Sequence, residues 1–96
     1  MRLIFAPSVR AELIDIGDAI REDNPSRAES FVLELEEKAR SITRFPRIYR
    51  MRPDIAPDIR LAAHGKYVIL FRIAGDEIRV LHIVHGARDL KRLFES

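Results

Sequence analysis

Apolar positions in this chain recur first at helical and then at strand spacing, and the change divides it in two. Val9, Leu13, Ile16 and Ile20 fall 4, 3 and 4 residues apart, and Ala28, Phe31, Leu35, Ala39 and Ile42 fall 3, 4, 4 and 3 apart. Each set makes one face of an α-helix. Pro7 opens the first helix, where a missing N–H is harmless. Asp23-Asn24-Pro25 separates the two, with Asn24 the expected N-cap and Pro25 at the first helical position. Phe45 extends the second stripe and Pro46 ends it. So short a joint packs the helices antiparallel, as an αα-hairpin. Ahead of them, Arg2-Leu3-Ile4-Phe5 is a short apolar run stopped by Pro7, which suits a first strand.

From Asp58 to Asp89 the period changes. The turn pairs His64-Gly65 and Gly75-Asp76 divide this stretch into three runs rich in Ile, Val, Leu, Phe and Tyr, read as consecutive antiparallel strands. Ile59, Leu61 and Ala63 alternate with Arg60 and Ala62, a half-exposed strand. In the next run Tyr67, Ile69, Phe71 and Ile73 point one way, and Val68 and Leu70 the other. A strand apolar on both faces lies mid-sheet, or has helices over one face and a partner over the other. In the last run Ile78, Val80, His82 and Val84 are expected on one face, opposite Arg79, Leu81 and Ile83. Arg88 to Phe94 is expected to form a short amphipathic tail helix with Leu90, Leu93 and Phe94 inward. The predicted fold is α+β, a helical hairpin packed on a small antiparallel sheet. Its order is β-α-α-β-β-β with a short C-terminal helical tail.

Between the halves, residues 46–57 carry three prolines and three arginines and are expected to lack regular structure. Their Ile48, Tyr49 and Met51 either tuck over the core or belong to a partner-binding surface.

At 96 residues, 47% hydrophobic and 33% charged, the chain reads as one soluble domain spanning residues 1–96. It has no cysteine, which excludes disulfides and thiolate metal sites. Leu3 to Ala6 is too short for a signal-peptide core or a membrane span, so a cytoplasmic location is expected. Net charge is only +2, but it is uneven. Residues 1–45 hold seven Lys/Arg against nine Asp/Glu, and residues 46–96 hold ten against six. Fourteen of the 17 basic residues are arginine, whose planar fork suits carboxylate and phosphate.

Chemistry is sparse. His82 and His85 lie three apart in a strand and point to opposite faces, so no metal site and no cofactor is expected. His85 beside Arg88 is the better-placed acid–base candidate. Among the sheet's basic residues, Arg60 and Arg72 are expected to share a face, and Arg88 emerges at a strand end. Such a cluster suits either a phosphodiester or a solvated surface.

Together these segments resemble the ParE/RelE superfamily of toxins from bacterial type II toxin–antitoxin systems. Ala11 to Ile16 is similar to its first-helix signature, and Asn24 to Ala28 with Phe31 to the turn into its second helix. Phe45-Pro46 is similar to the close of that helix. Ile59-Arg60, Tyr67-Val68-Ile69 and Phe71-Arg72 resemble the middle strands. Ile78 to Asp89 resembles the terminal strand and its His-Gly-x-Arg-Asp exit. Ala6 departs from the pattern, since many relatives place a capping Ser there.

The resemblance implies one of two targets. RelE-like members are ribosome-dependent endoribonucleases, and ParE-like members poison DNA gyrase. As a nuclease, this chain would rely on Arg60, His85 and Arg88. However, Val68 stands where RelE-like enzymes hold a catalytic arginine, and Phe94 where a tail tyrosine would stand; phenylalanine cannot exchange a proton. The ParE-like branch is therefore expected: a gyrase poison acting by contact, not an enzyme. Its target-binding candidates are Arg60, Arg88, Lys91 and Arg92. The resemblance also implies a cognate antitoxin and the possibility of a toxin dimer within the complex. Ile48, Tyr49, Met51, Val68 and Leu70 are the antitoxin-binding candidates.

Overall fold

The computed structural model describes residues 1–95. Strand β1 (Arg2–Phe5) leads into helices α1 (Pro7–Asp23) and α2 (Pro25–Ile42), and strands β2 (Arg60–His64), β3 (Tyr67–Ala74) and β4 (Glu77–His85) follow. The α+β order is as expected. The strands form one sheet in the order β1-β4-β3-β2. β2, β3 and β4 run antiparallel, whereas β1 pairs parallel with β4, Arg2 opposite Glu77 and Phe5 opposite Val80.

Both hydrophobic faces of β3 are covered by this chain. On one side lie the helices: Val9, Ile16, Leu35, Ala39 and Ile42 pack on Ala62, Ile69, Phe71, Ile78, Val80 and Ile83. Phe71, wholly excluded from solvent, is worth roughly 2–3 kcal/mol by burial alone. On the other side, Val68, Leu70 and Val84 pack with Ile55, Ala56 and Ile59 of the connector and with Leu90, Leu93 and Phe94 of the tail.

Several expectations are corrected. The alternation predicted for β4 breaks at a β-bulge. Leu70 pairs with His82 but Phe71 with Val80, so Leu81 is an extra residue. The bulge moves Ile83 onto the helix-facing side with Val80 and sends Val84 to the opposite side. Asn24 holds the N-cap position of α2 without capping it; its Oδ1 accepts from the Ser26 hydroxyl at 2.9 Å. α1, from Pro7, has no side-chain cap at Ala6, as that residue's departure from the family pattern implies. The tail is a single 3-10 turn, Lys91–Phe94, rather than a longer helix, and the connector holds a 3-10 turn at Pro46–Ile48.

Where β1 ends, α1 takes over the edge of β4. The Ala6 N–H donates to the Val80 carbonyl at 2.8 Å, and the Ser8 hydroxyl to the Leu81 carbonyl at 3.1 Å. Glu12 then accepts from the Ile83 N–H and the His82 ring. An edge that would otherwise offer unpaired groups is thus closed by the Ala6 backbone and the Ser8 and Glu12 side chains. Among the described residues, no helix is long and apolar enough to cross a membrane.

Candidate functional site

The residues expected to act on a target divide between the two ends of the sheet. Arg60 opens β2 opposite Phe71, whereas His64 closes it opposite Tyr67, which in turn pairs with His85. Arg60 is therefore four residues of strand from the His85 row, about 13 Å at the usual rise. Its guanidinium is also engaged: Nη1 donates to the Tyr49 carbonyl at 2.8 Å and to the Arg47 carbonyl at 3.5 Å. Arg60 fastens the connector to the sheet. Arg72 does not share its face. Arg72 alternates with Phe71 onto the tail side, where Nε donates to the Pro57 carbonyl at 3.1 Å and the guanidinium lies 5.8 Å from the Phe94 ring.

At the other end the strand exit is compact. The Gly86 N–H donates to the Lys66 carbonyl at 2.8 Å and the Arg88 N–H to the His85 carbonyl at 3.1 Å. A β-carbon on Gly86 would meet that Lys66 oxygen at 3.3 Å. A shallow cleft of about 190 Å³ opens here, with His85 and Arg88 facing Tyr67, Glu12 and Asp15. His85 stacks edge-on to Tyr67 at 5.3 Å, and its Nδ1 accepts from the Ala87 N–H at 3.0 Å. That bond occupies the Nδ1 lone pair, so a neutral His85 carries its proton on Nε2 and can donate from there but not accept. Arg88 is exposed at the exit, and Lys91 and Arg92 are exposed on the tail turn that follows. The structure therefore brings His85 and Arg88 to one end and leaves Arg60 apart, while Lys91 and Arg92 sit on the tail turn whose Phe94 reaches back to His82 and Arg72.

His82 is drawn elsewhere. Its Nδ1 lies 2.7 Å from Glu12 Oε2, and the Phe94 ring stands edge-on to it at 5.2 Å. His64 bonds Glu34 at 2.9 Å. Glu34 also pairs with Arg27, and the Arg27 guanidinium, followed by His64, holds its carboxyl down to about 2.

The proposed partner residues divide as well. Ile48 and Met51 are exposed, while Tyr49 is half-buried, edge-on to Phe71 at 5.8 Å. Val68 and Leu70 are not open surface: they are 8% and 0% exposed beneath the connector and tail. The two-sided apolar pattern of β3 reflects this internal second layer, not a face left for a partner. Sequence reasoning missed a larger surface. A groove of about 760 Å³ runs along the outside of the helical hairpin, lined by Phe5, Leu13, Ile14, Val32 and Leu33. Ile14 and Leu33, both 55% exposed, lie off the inward helical stripes, and that misplacement was the available signal.

Comparison with known proteins agrees with this architecture. Residues 3–90 match the family model described as ParE toxin of type II toxin-antitoxin system, parDE. Toxin ParE1 of Mycobacterium tuberculosis is 27% identical over 93 residues, covering 95% of each chain. Toxin ParE3 of Caulobacter vibrioides is 27% identical over 90 residues, covering 93% of this chain and 90% of its own. A solved structure described as a chromosomal ParDE TA system from P. aeruginosa superposes with a TM-score of 0.77 at 24% identity, over 88% of this chain and 95% of that one. With a family match spanning nearly the whole sequence, the chain belongs to the ParE toxin family of type II toxin–antitoxin systems.

Proposed function

We propose that this toxin arrests growth by inhibiting DNA gyrase through protein–protein contact, without catalysis, and is neutralised by a cognate antitoxin. One observation carries the reading. The three groups that a ribonuclease would need do not converge, because Arg60 is fastened to the connector at one end of the sheet while His85 and Arg88 stand at the other. Phosphoryl chemistry needs a base and charge stabilisers within hydrogen-bond reach of one phosphate. His85 also has Nδ1 committed to a backbone N–H. Val68 and Phe94 further support a non-catalytic role, since both are packing residues here.

The exposed Arg88, Lys91 and Arg92 are the target-facing candidates, and the apolar hairpin groove suits a wrapping antitoxin segment. The ParDE description of the solved relative supports an antitoxin partner. The deciding experiment adds purified toxin to a gyrase supercoiling assay and, separately, to translating ribosomes. Inhibited supercoiling with intact mRNA is expected. Full gyrase activity at saturating toxin, or cleaved ribosome-bound mRNA, would reject the reading.

A further inference from the structure

The groove along the helical hairpin is bounded by two stripes of side chains that carry opposite charge. On α1 the stripe is Arg10, Ile14, Gly17 and Arg21, spaced 4, 3 and 4. On α2 it is Glu29, Val32 and Glu36, spaced 3 and 4, with Leu33 beside Val32. Such spacing keeps each set on one helical face. Both stripes are small or apolar in the middle and charged at the ends. The α1 ends are basic and the α2 ends acidic.

The two stripes are also in step. Gly17 stands level with Val32, whose Cγ2 lies 3.4 Å from the place a β-carbon on Gly17 would take. The helices run antiparallel, so Glu36, four residues past Val32, is level with residue 13 and three residues from Arg10. By the same count Leu33 lies two residues from the level of Ile14, and Glu29 one from that of Arg21. At 1.5 Å per residue these offsets are at most about 4.5 Å, which an arginine side chain spans. Within the chain, however, none of these charge pairs closes. Arg10, Glu29 and Glu36 are in no ion pair among the described residues. Arg21 bonds Asp18 at 2.8 Å, and its guanidinium has donors to spare. Ile14 and Leu33, between the charges, are each more than half exposed.

We propose that the hairpin groove is a self-association surface, closed by a second copy of this chain about a two-fold axis parallel to the helices. Such an axis lays α1 of each copy on α2 of the other and preserves every level. Arg10 then meets Glu36 of the second copy, Arg21 meets its Glu29, and Ile14 packs on its Leu33. By symmetry each contact is made twice, and the two hairpins form a four-helix layer. A two-fold axis across the helices would instead set Arg10 against Arg21 and Glu29 against Glu36, which pairs like charges. A second copy is the occupant whose charges the sequence itself fixes, and they are the opposites that each stripe requires. From helix length and diameter the hairpin face is about 25 Å by about 20 Å, so each copy covers roughly 500 Å². That lies at the low end for specific complexes and sets a weak dimer, with a Kd on the order of 10 μM. The inference goes beyond the antitoxin reading. The groove holds a second toxin or an antitoxin segment but not both, so the dimer belongs to toxin free of antitoxin.

The test is sedimentation equilibrium of the full-length toxin alone. Two variants, Arg10→Glu/Arg21→Glu and Glu29→Lys/Glu36→Lys, each give both stripes of one chain the same charge. Wild type is expected to dimerise, and each variant alone to self-associate at least about ten-fold more weakly. An equimolar mixture of the two variants should regain a dimer at wild-type strength, since the opposite stripes meet again. A second measurement uses the chain's lack of cysteine. Under mild oxidation Ile14→Cys mixed with Leu33→Cys should cross-link faster than either variant by itself. Wild type still monomeric at about ten times the expected Kd would overturn the inference. So would a mixture of charge variants no stronger than its components, or cross-linking of the mixed cysteine variants no faster than of each alone. Both measurements use the toxin alone, so their outcome is separate from that of the gyrase and antitoxin assays.

Discussion

Glu12 and Ile83 join the helical layer to the sheet edge: the Ile83 N–H donates to Glu12 Oε1 at 3.0 Å, while Oε2 of the same carboxylate holds His82. Both side chains of the Glu12–His82 pair are largely buried, at 14% and 19%. Glu12→Ala leaves a backbone donor and an imidazole without a partner, and is expected to cost about 2 kcal/mol. For a domain of this size that is roughly a 10 °C fall in Tm, measurable by calorimetry. Glu12→Gln keeps an oxygen for Ile83 and should lose less.

Arg60 and Arg88 should separate cleanly by mutation. Arg60→Ala deprives the Tyr49 and Arg47 carbonyls of their donor and should lower stability by about 1 kcal/mol. Hydrogen exchange should rise along the connector. Arg88→Ala/Lys91→Ala/Arg92→Ala removes exposed charge and should change stability by less than about 1 kcal/mol, yet weaken gyrase inhibition by about ten-fold. Unchanged inhibition by the triple variant would remove these residues from the target surface.

Restoring the nuclease-like side chains should not restore a nuclease. Val68→Arg forces a cation under the connector and is expected to destabilise by about 2 kcal/mol. Combined with Phe94→Tyr it should still leave ribosome-bound mRNA intact on gel analysis. Phe94→Ala, which removes the ring packed against His82 and Arg72, should lower stability by about 2 kcal/mol and raise binding of an apolar dye.

Acid should loosen the contact between α2 and the β2–β3 turn. The Glu34 carboxyl is depressed from 4.5 to about 2, first by Arg27 and then by His64. A depressed carboxyl contributes stability above its unfolded value and loses it as pH falls through its folded value. The contribution is therefore complete above about 4.5 and disappears toward 2. Glu34 is 39% exposed, so solvent and salt weaken it. Glu34→Gln should flatten the Tm profile across that window, and high salt should reduce the difference from wild type.

Legibility followed the range of the interactions involved. Val9, Ile16, Leu35, Ala39 and Ile42 are buried as the helical stripes predict, because helix periodicity is a local property. Both hairpins turn where expected, with Gly65 at φ +58° and Gly75 at φ +62°. The bulge at Leu81 was not legible, since it is a mismatch between two strands, and one extra residue inverts every later side chain. Arg60 looked available because its partners are carbonyls, which carry no mark in a sequence. Val68 and Leu70 looked like partner surface because a covering layer drawn from residues 55–59 and 90–94 reads as loop and tail.

The parallel pairing of β1 with β4 sets when this domain can exist during synthesis. Arg2 meets Glu77, 75 residues later, so the first strand made waits for the last before its hydrogen bonds can close. A nascent or truncated chain ending before Glu77 holds the helical hairpin and the β2–β3 pair but lacks β4, the strand that joins them to β1, and the exit that carries Arg88. Pairings of such long sequence separation form slowly, so β1 can take its place in the sheet only after β4 has been made.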